Sequence, residues 1–193
     1  MGKPILDTKA FRGRIPLHDG DIETLYEVAS LGKTYVEIGT LFGASACIAG
    51  LAGCDVYCID PLDGYNIRGV GDPFDVNKNI PSPRTVQENW IRQGLDISKL
   101  HIYAHYHPPW PREINFAFDV GLIDGNHYAP NVWLDYDGMN GRIQKYLLMH
   151  DTHLDGVRSI YESALKTPKW ERYTPKTKKE RTMGVLANTG GEG

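Results

Sequence analysis

The stretch from Thr34 to Asp60, TYVEIGTLFGASACIAGLAGCDVYCID, admits few folds. Tyr35, Val36 and Ile38 make a short β-branched and aromatic run, broken at Gly39, that reads as a strand. Gly39 and Gly43 bracket a turn, and Ala44 to Leu51 supplies the small and apolar residues of a packed helix. Asp55 to Ile59 is a second strand, ending at the carboxylate of Asp60. Two parallel strands joined by a helix form a right-handed crossover. Ligands of such units lie beyond the carboxyl ends of the strands, against the helix N-terminus. That rim carries Glu37, Gly39, Thr40, Leu41, Gly43, Ser45, Asp60 and Pro61.

The rim suits a nucleoside. A side chain at Gly39 is expected to occupy ligand space, so glycine lets the backbone come close. The amides of Leu41 to Ala44, with the helix dipole, favour a carboxylate or phosphate. Asp60, about 20 residues after the turn, is placed to accept hydrogen bonds from a ribose diol. A dinucleotide fingerprint, G-x-G-x-x-G, uses three glycines to approach a pyrophosphate; here Thr40 and Leu41 stand where further glycines belong. Glu37 repels a pyrophosphate but suits an ammonium. S-adenosylmethionine, with its ammonium, carboxylate, sulfonium and ribose, therefore fits this rim better than NAD.

V-E-I-G-T-L-F-G-A-S followed by V-Y-C-I-D resembles the first two motifs of class I S-adenosylmethionine-dependent methyltransferases. F-D-V-G-L-I-D-G-N-H-Y, then Leu147-Leu148-Met149-His150-Asp151 and Gly156-Val157, resemble one branch of that class. This branch holds small O-methyltransferases acting on sugars and natural products, and cephalosporin-hydroxylase-like proteins. The resemblance runs from Tyr35 to Leu186. It implies Glu37 on the methionine ammonium, the Gly39–Gly43 turn on its carboxylate, and Asp60 on the ribose.

The alternation of strand and helix, closed by an antiparallel pair, predicts a three-layer α/β/α sandwich: a Rossmann-like sheet of seven strands, mostly parallel, with an antiparallel C-terminal strand. At 193 residues the chain suits a single domain with a core that needs no staples. Met1 to Leu17 reads as an irregular arm. Asp19 or Asp21 is expected to cap a helix running to about Leu31, with Gly32 ending it. Further helices are expected over Arg84–Leu95, Asn131–Ile143 and Val157–Leu165, and strands over Leu100–Tyr106, Phe118–Asp124, Tyr146–Asp151, Trp170–Thr174 and Thr182–Ala187. Pro61 to Pro83 is rich in glycine and proline and leaves directly from Asp60. It reads as a lid, with Tyr65, Ile67 and Phe74 as contacts, or as a surface insertion.

A formal charge of -3 gives no footprint for nonspecific nucleic-acid binding. The basic stretch Lys166–Arg181, interrupted by Glu171 and Glu180, reads as a solvated hairpin face. Cys47, Cys54 and Cys58 form no C-x-x-C pair and read as reduced core thiols of a cytoplasmic protein. No apolar run reaches membrane-spanning length, and Met1 to Ala10 lacks a signal-peptide core. The expected partner is a small-molecule methyl acceptor, and a homodimer is compatible with the class.

Asp124, His127, His150, Asp151 and His153 come from two strand ends that should meet at the ligand rim. Methyl transfer from a sulfonium is an in-line displacement and needs positioning; a hydroxyl acceptor must also lose its proton. Asp124, His127, His150 and Asp151 are the candidate catalytic residues, with Asp124 also beside the cofactor. The resemblance implies a divalent ion, commonly magnesium, on Asp124 and Asp151. His150 falls where some relatives carry a second acid, and imidazole is a poor magnesium ligand. The metal-free alternative is a base, His127 or His150. His105 and His107, in the loop HYHPPWP, read as bystanders where relatives hold adenine with a small acidic or polar motif. Two other classes stay open: a non-catalytic protein on the same fold, and an NAD-linked oxidoreductase, against which the glycine pattern argues.

Overall fold

Seven strands among the described residues lie in one sheet, in the order β3-β2-β1-β4-β5-β7-β6. The chain, taken from a computed structural model, is described for residues 5–62 and 81–190. Most of the Pro61–Pro83 stretch, including Tyr65, Ile67 and Phe74, lies outside the described residues. In chain order the elements are α1 (Asp19–Ala29), β1 (Thr34–Ile38), α2 (Ala44–Leu51), β2 (Asp55–Ile59), α3 (Pro83–Arg92), β3 (Leu100–Tyr103), β4 (Phe118–Ile123), α4 (Ala129–Asn140), β5 (Ile143–Met149), α5 (Asp155–Ala164), β6 (Trp170–Arg172) and β7 (Gly184–Asn188). Strands β1 to β5 pair in parallel, and β7 inserts antiparallel between β5 and β6. The expected three-layer, Rossmann-like architecture is what the chain adopts.

Two cores flank the sheet. Leu25 and Val28 of α1, Ala46, Cys47 and Ile48 of α2 and Trp90 of α3 pack with Val56, Cys58 and Val120 on one face. Val132, Tyr136 and Met139 of α4 and Val157 and Ile160 of α5 pack with Val36, Ile123 and Leu147 on the other. All three cysteines are buried and free. Burial pushes the Cys47 thiol up to about 12 and that of Cys54 up to about 11, so both stay protonated.

Several boundaries move for identifiable reasons. Helix α4 stops at Asn140, before Gly141, and the buried Ile143 opens β5 opposite Phe118. Strand β3 stops at Tyr103: beyond it His105 donates to the Asp60 carbonyl, and prolines at 108, 109 and 111 have no amide to offer a ladder. Strand β7 starts at Gly184, because the Thr182 and Met183 amides donate to Asp21 at 2.8 and 2.9 Å instead of to a strand. The cap of α1 is His18 and neither aspartate; Asp21 sits three residues inside, its Oδ2 accepting from the His18 amide at 3.3 Å. The basic segment near 176–179 is also not simply solvated. It lies along the acidic side of α1, with the Lys176 amide on Glu27 and Lys179 Nζ 2.7 Å from Glu23.

Candidate active site

Register aligns the chemistry. Ile38 pairs with Ile59 and with Ile123, and Ile123 pairs with Met149. The next residue on each strand, Gly39, Asp60, Asp124 and His150, therefore reaches the same edge. The ladder extends one step past the strands: Gly39 donates to the Ile59 carbonyl, Asp124 to that of Ile38 and His150 to that of Ile123. A cleft of about 1210 Å³ opens there, lined among others by Gly39, Thr40, Leu41, Ser45, Asp60 and Pro61, and by Asp124, His127, His150 and Asp151. Of the rim residues expected from sequence, Glu37 and Gly43 do not line it.

The glycine turn is held by Asp60. Its Oδ2 accepts from the Thr40 amide at 2.7 Å and from the Leu41 amide at 3.0 Å, while Oδ1 accepts from Leu62 at 2.7 Å. Of the amides expected to meet a ligand carboxylate, that of Leu41 is thus already bonded to the chain's own carboxylate, together with its neighbour Thr40. Gly39 has φ +91°, and a Cβ there would stand 2.1 Å from the Asp124 carbonyl oxygen. Its glycine serves the packing of β1 against the end of β4, not ligand space as its position suggested. Leu41 and Asp151, both at the cleft, hold φ of +49° and +56°, conformations that cost about 1–3 kcal/mol and cluster at functional sites.

Glu37 lies beneath the cleft, wholly buried, with Tyr35 Oη donating to its Oε2 at 2.9 Å. Among the described residues its Oε1 and the Thr40 Oγ1 are buried without a hydrogen-bond partner. Burial pushes the Glu37 carboxyl up to about 7, and nearby Ser45, Tyr35 and Thr40 offset only part of this. The unfolded chain ionises this acid at about 4.5. Between there and about 7 the folded state keeps a proton that the unfolded state has lost, so stability falls as pH rises through that window. Glu37→Gln is expected to be more stable than the parent at pH 8 by up to about 3 kcal/mol, an advantage that vanishes near pH 4.5. Urea unfolding at both pH values measures it, and an equal difference at the two would refute it.

The acids and histidines converge as the sequence indicated, with one addition. His150 is 4% exposed; its Nδ1 lies 3.0 Å from Asp124 Oδ1 and 3.4 Å from Asp151 Oδ2. Its Nε2 faces Thr182 Oγ1 at 3.1 Å and Asp21 Oδ2 at 3.6 Å. Burial opposes its charge, but hydrogen bonds to Asp124, Asp151 and Asp21 outweigh that and push the imidazole up to about 12. Both of its ring nitrogens are engaged, which favours the protonated form and leaves no lone pair aimed at an acceptor. His127 is the more accessible: Nε2 lies 3.3 Å from Asp151 Oδ2 and 3.9 Å from Asp124 Oδ1. The Asp124 carboxylate, against burial and with help from Asp151, raises its affinity for a proton. His153 stays at the periphery, 3.7 Å from Asp151.

Sequence reading missed Asp21 and Asp135. Asp21 is wholly buried; burial alone would raise its carboxyl, but His150 and Thr182 hold it below the usual range. A signal existed: Asp21 stands four and seven residues before Leu25 and Val28, on the apolar side of α1. Asp135, inside α4, pairs at 2.9 Å with His107, and both are nearly buried in the cleft wall. His107 thus pins the loop after β3 to α4, whereas the His105 ring lies 3.0 Å from the Pro109 carbonyl of its own loop.

Asp124, His127 and Asp151 offer ligand atoms within 4.8 Å of one another. The set does not fit magnesium. Magnesium wants hard oxygen donors in octahedral array; one of these three donors is an imidazole, and the facing oxygens of both carboxylates already bond His150.

No family model and no curated protein matches the chain in sequence. Solved structures do match in fold. Cofactor-bound Rv0187 from MTB aligns with a TM-score of 0.67 at 13% identity, over 93% of this chain and 84% of that one. The O-methyltransferase from Bacillus cereus, in complex with SAH, aligns at 0.64 and 14% identity over 91% and 82%. The O-methyltransferase TomG from Streptomyces achromogenes, in complex with SAM, gives 0.64 and 14% over 90% and 81%. The strand order, the glycine turn after β1 and these likenesses together give the chain the fold of the class I S-adenosylmethionine-dependent O-methyltransferases.

Proposed function

We propose that this chain is an S-adenosylmethionine-dependent methyltransferase that methylates a hydroxyl group of a small molecule. The observation that carries the reading is the convergence, at one cleft, of the glycine turn braced by Asp60 with the Asp124, His127 and Asp151 cluster. Two buried atoms without a hydrogen-bond partner, Thr40 Oγ1 in the cleft wall and Glu37 Oε1 beneath it, fit a cationic, hydrogen-bonding ligand nearby. The cleft also exceeds the roughly 300–1,000 Å³ of a site for one drug-sized molecule, leaving room for an acceptor beside Tyr106 and Tyr128.

When bound, S-adenosylmethionine supplies an electrophilic methyl group on sulfur. Thr40 and Ser45 line the cleft above Glu37 and receive the ammonium, with Glu37 supplying negative charge from below. The amides of Thr40 and Leu41 being taken, the first turn of α2 is left for the carboxylate. A carboxylate has about four lone-pair sites, so Asp60, with three amides on it, keeps one for a ribose hydroxyl. With that methyl donor in place, His127, steadied by Asp151, would take the proton of the acceptor hydroxyl. Asp124 orients the acceptor.

Calorimetry with S-adenosylhomocysteine and with NAD tests the cofactor: the first binds and the second does not. Asp60→Ala is expected to weaken S-adenosylhomocysteine ten- to a hundredfold, as for losing a hydrogen bond to a charged group worth about 1.5–3 kcal/mol. Unchanged affinity would remove Asp60 from the site. A methyl-transfer screen over hydroxylated acceptors then separates enzyme from binder, His127→Gln keeping the cofactor and losing the reaction. Failure of every acceptor despite cofactor binding would favour a binding protein on this fold.

A further inference from the structure

His150 presents both ring nitrogens to acceptors. Nδ1 faces Asp124 Oδ1 at 3.0 Å and Asp151 Oδ2 at 3.4 Å. On the opposite side Nε2 faces the Thr182 hydroxyl at 3.1 Å. That hydroxyl directs its own proton to Asp21 Oδ2, 3.1 Å away, and so is left to accept from Nε2. An imidazole whose two nitrogens both donate carries two protons and a positive charge. Asp21 is wholly buried at the start of α1 and lies 3.6 Å from the same nitrogen, its other oxygen occupied by two backbone amides. A buried carboxylate of this kind needs a cation beside it.

We propose that His150 is the fixed cation of the cleft, locked from behind by Asp21 and Thr182, and that it holds the place between Asp124 and Asp151 where the resemblance implies a divalent ion. Asp21 is then a positioning residue: it acts through His150 on the two aspartates of the rim, although it does not line the cleft itself. Because the cation is tethered to β5, the facing oxygens of Asp124 and Asp151 are oriented before any ligand arrives. Asp151 can then hold His127 in one geometry, and the chain needs no added metal. The geometry stands apart from the methyltransferase reading, and only the consequence for catalysis rests on it.

The test uses the full chain, with and without S-adenosylhomocysteine. Nitrogen NMR of the histidine rings at pH 8 is expected to find protons on both nitrogens of His150, and a bare nitrogen overturns the proposal. Titration with magnesium chloride and manganese chloride is expected to show no saturable site below about 1 mM and no rise in melting temperature. Tight manganese binding that disappears in Asp124→Asn overturns it. In His150→Ala, added imidazole or manganese is expected to raise the melting temperature while leaving the parent unchanged, and a folded variant that neither rescues counts against the proposal. Should that variant not fold, the ring protons and the parent's ion titrations decide. If S-adenosylhomocysteine fails to bind while both protons are present, the cofactor reading falls and the fixed cation stands.

Discussion

His150→Ala is expected to lose about 3–5 kcal/mol of folding stability, the cost of removing one partner from a buried ionic group. For a chain of this size that lowers the melting temperature by on the order of 10 °C. The imidazole is almost fully buried, and its removal leaves Asp21, Asp124 and Asp151 converging without a counter-charge. The pH dependence follows from the direction of its shift. The folded imidazole is raised from 6.5 to about 12, so its contribution is complete below 6.5 and declines as pH climbs toward 12. The stability gap between parent and variant is therefore widest at pH 6.5 or just below and narrows in alkali. Urea unfolding of both proteins at pH 6, 8 and 9.5 measures it, and a gap that widens with pH would mean that His150 is neutral in the fold.

Gly39→Ala is the second large effect. Its φ of +91° already disfavours any side chain, and the added Cβ would stand 2.1 Å from the Asp124 carbonyl oxygen and 2.7 Å from the Gly125 amide nitrogen. Both are backbone atoms, and hydrogen bonds from Gly39 to Ile59 and from Asp124 to Ile38 prevent an easy retreat. Movement must open the junction of β1 with β4, at a cost of about 4 kcal/mol, the level reserved for disruptive core changes, with S-adenosylhomocysteine binding lost. Gly53→Ala is the control: its φ is +102° but nothing lies within 4 Å of a Cβ. It should cost only about 1–2 kcal/mol, the penalty of left-handed backbone alone. Equal losses in the two variants, read by thermal unfolding, would show that close packing at Gly39 is immaterial.

The unit from Thr34 to Asp60 was legible from sequence because its signals are local: a β-branched run, two glycines, a small-residue helix and a second run, with α2 and β2 bounded as expected. The meeting of Asp124, His127, His150 and Asp151 was legible because parallel strands end on one edge. What escaped reading depends on partners far away in sequence. Asp21 has the look of a helix cap until the amides of residues 182 and 183 arrive, and His107 that of a loop histidine until Asp135 closes on it. The same distance explains His150. Its neighbours in sequence suggest a base or a ligand, and only three carboxylates gathered from α1, β4 and β5 fix it as a cation. Glu37 lies on the expected strand, but it is buried while Thr40 and Ser45 line the cleft. Strand alternation gives a side chain's face and not how much covers it.

The clasp between Asp21 and the chain at Thr182 and Met183 joins segments about 160 residues apart. A ribosome delivers α1 early and β7 late, so during synthesis the aspartate and its imidazole wait for the hydroxyl that completes their embrace. The back wall of the cleft is consequently closed only when two segments far apart in sequence have met.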